Sequence, residues 1–190
     1  MRTAFKEWAI VVDALGRGDQ ILILRKGGIA EGRGGFRVEQ PEFLFFPTLF
    51  HQQRDSVVPA AQRRYDEIAP DLPPKDIVRV EFLANVADWR NLDSPAAAGR
   101  LRDQHIWREE VIAGRFDWGR TQNIFALAVR VFRLPRRIEL PMRESYAGCK
   151  SWVELDPDIS TAGMQPVLRD DAFSEKLQQF QSALDPVRAV

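Results

Sequence analysis

Residues 124–134 read Ile124-Phe125-Ala126-Leu127-Ala128-Val129-Arg130-Val131-Phe132-Arg133-Leu134, and their pattern decides the fold class. Phe125, Leu127, Val129 and Val131 fall on one face of a period-two pattern, and Ile124, Ala126, Ala128 and Phe132 on the other, interrupted by Arg130. A run apolar on both faces predicts a central strand with cover on each side. Upstream, Val78, Val80 and Phe82 alternate with Arg79 and Glu81, predicting a strand over 77–83. Between the two, Asp93-Ser94-Pro95 is a helix start with Ser94 as cap, and the helix is expected to run to about Arg115. Downstream, 138–140 and 152–155 read as short strands. Phe173, Leu177, Phe180 and Leu184 then recur at the spacing of a closing helix.

Towards the N-terminus, Phe5, Trp8, Val12 and Leu15 lie at helical spacing ahead of Gly16 and Gly18, so a helix is expected over 3–15. Ile21 to Leu24 read as a buried strand, the Gly-rich residues 27–35 as a turn, and 36–46 as a hairpin whose second arm is broken at Pro41. Residues 48–76, carrying Pro59, Pro70, Pro73 and Pro74, read as an exposed proline-rich loop with at most a short helix from Ala60 to Ile68. The order spells an α+β fold: a mixed, mainly antiparallel sheet or small barrel with N-terminal, central and C-terminal helices. One domain is expected over 1–190, with 160–190 as a helical tail.

Of 190 residues, 45% are hydrophobic and 28% charged, a composition that excludes a disordered chain. Lys6 and Glu7 interrupt any secretory core and no stretch reaches the length of a membrane span, so a cytoplasmic protein without a membrane partner is expected. The lone cysteine, Cys149, permits no internal disulfide. Net charge is zero, yet residues 100–150 carry 11 basic against 6 acidic side chains, and of the 27 basic residues only five are lysine.

Three stretches together carry a resemblance: Lys6-Glu7-Trp8-Ala9 continuing into LILRKGGIAE (22–31), FFPTLFHQ (45–52) and GCKSWVEL (148–155). The chain resembles the bacterial and archaeal domain-of-unknown-function 1802 family, which implies no assigned activity. A looser likeness, at the level of element order, is to the PUA and ASCH barrels that bind RNA or modified bases.

Lys26-Gly27-Gly28 ends a strand in a turn where an ammonium and backbone amides suit an anion, with Glu31 in the same turn. Thr48, His51 and Gln52 place a hydroxyl, an imidazole and a carboxamide after a proline-restrained strand end. Lys150 sits beside Cys149 just before a strand, where a cation lowers a thiol pKa. His105 shares a face with Leu101 and Ile112 and reads as a histidine at the edge of the core. Trp89 and Trp118, beside Arg90 and Arg120, are expected to be exposed. The histidines show no metal-ligand spacing, and neither metal nor cofactor is called for.

These features predict that Lys26, Thr48, His51, Gln52 and Lys150 line one positively charged, concave site, with Arg25, Arg108 or Arg130 as further donors. The function expected first is a nucleic-acid or nucleotide and anion-binding module. The first alternative is a metal-dependent phosphodiesterase of the restriction-nuclease type, against which stands the absence of a [DE]xK strand. The second is a non-catalytic domain that binds a protein partner or a second copy of itself.

Overall fold

The computed structural model describes residues 1–26, 31–32, 35–36, 40–49, 53–117, 121–148 and 150–185. Its elements are β1 (Thr3–Trp8), α1 (Ala9–Arg17), β2 (Leu22–Arg25), β3 (Glu31–Gly32), β4 (Gly35–Phe36), β5 (Glu42–Thr48), α2 (Pro59–Ile68), β6 (Ile77–Leu92), α3 (Pro95–Gly99), α4 (Glu109–Asp117), β7 (Ile124–Pro141), β8 (Trp152–Glu154), β9 (Gln165–Pro166) and α5 (Asp170–Leu184). The fold is α+β, built on a mixed, mostly antiparallel open sheet of seven strands in the order β2-β7-β6-β5-β1-β8, with β9 paired to β7. Among the described residues no helix is long and apolar enough to cross a membrane.

The 124–134 run lies inside β7, which pairs with β6 from Ile77↔Pro141 to Leu92↔Ile124 and with β2 along its other edge. Its residues feed two cores, 124–129 with Val131 the first and Leu134 and Leu140 the second. Beneath the helices lie Phe125, Leu127 and Val129 with Phe5, Phe43, Phe45, Leu15 and Leu24. On the opposite face Leu134 and Leu140 meet Ala4, Leu44, Phe46, Val80, Tyr146 and Val153.

Two expected helices are corrected. Residues 3–8 form a strand, because β1 is zipped between β5, in parallel (Phe5↔Phe45), and β8, antiparallel (Phe5↔Trp152), and these two ladders override a helical spacing only six residues long. The helix starts at Ala9 and stops at Gly18, whose left-handed φ of 75° lets its N–H reach the carbonyls of Ala14 and Leu15. The central helix breaks into α3, a 3₁₀ turn at Arg102–Gln104, and α4. Between them the backbone is extended at His105, and Trp107 pairs with Val57, an arrangement that a continuous helix would forbid. The start was read correctly, since Ala97 N–H donates to Ser94 Oγ at 3.3 Å.

The sheet is strongly curled. Arg25 ends β2 at one edge and Ser151 precedes β8 at the other, yet Arg25 Nη2 donates to Ser151 Oγ at 2.9 Å. This closure brings distant strand ends to one place.

Candidate functional site

The strand ends meet around Glu7. In β1 the side chains alternate, so Phe5 and Glu7 both face the helices, and Glu7 ends 1% exposed beneath them. Its Oε1 accepts the N–H of Trp8 at 2.8 Å, while Oε2 is buried with no hydrogen-bond partner among the described residues. Thr48, at the end of β5, donates its hydroxyl to the Glu7 carbonyl at 3.1 Å. Gln53 is buried beside it, donating to the Thr48 carbonyl and accepting from Ile10 N–H at 3.4 Å, so the first turn of α1 is already capped.

Two guanidinium groups face this carboxylate. Arg25 lies 4.8 Å from the Phe5 ring centre and 3.9 Å from Glu7 Oε2. Arg115, near the end of α4, is 5.6 Å from the Trp8 ring and 5.1 Å from the Trp107 ring, and donates to the Leu24 carbonyl at 2.6 Å. Burial brings the pKa of Arg115 down to about 10; Glu7 opposes that fall and Arg25 adds to it. The indole N–H of Trp107, buried next to Arg115, has no hydrogen-bond partner among the described residues. The cluster therefore combines aromatic walls, two arginines against one buried carboxylate, and an unmatched donor and acceptor.

Of the residues singled out by sequence, Arg25 and Thr48 reach this cluster directly. Lys26 stands next to it but turns outward, donating to the carbonyls of Phe116 (3.2 Å) and Thr121. Lys150 is exposed beside Ser151. His51, Gln52, Cys149, Trp118, Arg120 and the side chain of Glu31 lie outside the described residues. Arg108 is elsewhere: it precedes α4 and pairs with Glu110 at 3.2 Å, at the opposite end of that helix from Arg115. Arg130 points to α5, held between the rings of Phe132 and Phe173 and paired with Asp170. Trp89, expected to be exposed, is partly buried 6.4 Å from the Phe125 ring. His105 is 9% exposed against Trp107, in keeping with a place at the core edge. Among the described residues, no three of His, Cys, Asp or Glu are grouped as a metal ion would require.

Glu7, Arg25, Thr48 and Ser151 lie in the stretches that carry the family resemblance, whereas Gln53, Trp107 and Arg115 join them from outside those stretches. The family model described as Domain of unknown function (DUF1802) matches residues 4–179. The chain belongs to that family. No curated protein and no solved structure matches it. Within this DUF1802 domain Arg25 and Thr48 are joined by residues that the sequence pattern did not mark as a site: Glu7, Gln53, Trp107, Arg115 and Ser151. A signal for Glu7 was present. Read as a strand, Ala4-Phe5-Lys6-Glu7 puts a carboxylate on the same face as Phe5, and a charge on an apolar face is the pattern of a site.

Proposed function

We propose that this DUF1802 chain is a binding module for a phosphate-bearing ligand, a nucleotide or a nucleic acid, held at the strand-end cluster around Arg25 and Arg115. The observation that carries the reading is the surplus of cation: two guanidinium groups over aromatic rings share one buried carboxylate, so the cluster is left short of negative charge. An anion corrects that deficit, and a guanidinium fork suits the oxygens of a phosphate better than any other common group. The partly exposed ring of Trp8 supplies the apolar contact that bases accept from binding surfaces. Exposed Lys150, beside Ser151, adds attraction from outside.

The test is fluorescence anisotropy with labelled single-stranded RNA and DNA at low salt, with melting temperature measured in parallel. Binding should weaken steeply as salt is added. Arg25→Gln should weaken it at least about tenfold, the loss of one charge-assisted contact. Glu7→Gln should strengthen it, because the one carboxylate that competes with the anion is gone while its shape is kept. Binding that is absent in the parent, or that ignores both substitutions in folded variants, refutes the proposal.

A further inference from the structure

A second feature lies on the other flank of α1. An open groove of about 310 Å³ runs between α1, α2 and the β6–β7 ladder. It owes its lining to an irregularity in that ladder. Val80 pairs with Ile138 and Phe82 with Arg133, so Glu81 alone on β6 stands opposite four residues, 134–137, on β7. The register shift presents Glu81 and Phe82 to the same groove and brings Arg133 and Arg137 to its rim.

The charges there are uneven. Three other arginines that line the groove each have a carboxylate: Arg17 pairs with Asp13 and Asp19, Arg64 with Asp13 and Glu67, and Arg79 with Glu139. Arg133 and Arg137 share Glu81, at 3.9 and 3.1 Å, and both are more than half exposed. Arg133 is also fixed in place, 4.6 Å over the Phe82 ring and donating to the Gly16 carbonyl at 2.9 Å. Below this pair the floor is apolar, made by Val12, Phe82, Leu72 and Pro47, and extended by Leu49, a large hydrophobic residue left exposed.

We propose that this groove is a second binding site, separate from the strand-end cluster, for a phosphate monoester with a flat apolar body, the chemistry of a nucleoside monophosphate. The phosphate meets Arg133 and Arg137, where two forks have one carboxylate between them, and its several oxygens can accept from both. The body lies along the apolar floor. The volume sits at the small end of sites that bury organic ligands, roughly 300 to 1,000 Å³, which fits one nucleotide.

The experiment is calorimetric titration of the full chain at low salt with adenosine monophosphate, adenosine and inorganic phosphate as three separate probes. Saturable binding of the monophosphate is expected, tighter than either half alone. Arg137→Ala removes a rim group whose ion pair is with Glu81 and should weaken the monophosphate at least about tenfold. Glu81→Gln should tighten it, and Arg25→Gln should leave it unchanged. The proposal is overturned if the monophosphate does not bind, if Arg137→Ala binds as the parent does, or if inorganic phosphate binds as tightly as the ester. It is equally overturned if Arg25→Gln, and not Arg137→Ala, abolishes binding, since the ligand then sits at the strand-end cluster. The oligonucleotide measurement at that cluster stands or falls apart from all four outcomes.

Discussion

His105 should make the stability of this protein depend on pH over a window that begins well above the range of ordinary carboxylates. Burial, with a smaller push from the charge of Arg115, lowers its pKa from 6.5 to about 4. The folded state therefore holds a neutral imidazole where the unfolded chain would take up a proton. The sign follows from that difference: a depressed folded pKa contributes stability that is whole above about pH 6.5 and drains away as pH falls towards 4. The full gap between 6.5 and about 4 corresponds to roughly 3 kcal/mol, and most of it is gone by about pH 4.5. Urea unfolding of the parent and of His105→Gln, measured from about pH 7.5 to 4.5, isolates the effect, because every other titrating group is common to both. The parent should lose roughly 2 to 3 kcal/mol more than the variant across that range. Parallel curves would refute the reasoning, as would an NMR titration placing the His105 midpoint near 6.5.

Gly16→Ala would put a methyl carbon 2.2 Å from the Phe82 Cζ, and should cost about 1 to 3 kcal/mol in denaturant unfolding, relieved when combined with Phe82→Leu. Phe180, 0% exposed on α5, should cost about 3 to 5 kcal/mol as alanine, showing in calorimetry that the C-terminal helix belongs to the core. Ser94→Ala removes the oxygen that accepts from Ala97 N–H, and should lower stability by about 1 kcal/mol in urea titration without altering ligand binding at either site.

The α+β class, the strand at 124–134, the Ser94 cap and the closing helix were legible because each is written in a local pattern that tertiary structure left standing. Residues 3–8 were not legible. Phe5 and Trp8 sit three apart, which suits a helix, but their conformation is decided by β5 and β8, more than thirty and more than a hundred residues away. Similarly, nothing near Trp107 announces that it will pair with Val57 and split the central helix. The candidate site was legible in part, since Arg25 and Thr48 were marked as strand ends. Arg115 was hidden because it lies on a helix among other charged residues, and only the curl of the sheet shows that its side chain is drawn inward between two tryptophans.

The arrangement at Glu7 is poorly explained as a device for stability. Its Oε2 lies 3.9 Å from Arg25, too far for a hydrogen bond, and has no other partner among the described residues, so the carboxylate is desolvated without full compensation. Arg115 is in a similar position, its pKa falling because burial outweighs the help of Glu7. Breaking such a group on one side strands the remaining charge, whereas apolar residues of the same volume commonly serve a core as well or better. A fold that needed only to be stable would place a leucine at position 7 and a methionine at position 115. A site that must take in an anion has a reason for both charges, because the arginines need a carboxylate to hold them in place while empty, and one carboxylate between two arginines leaves room for a ligand to complete the balance.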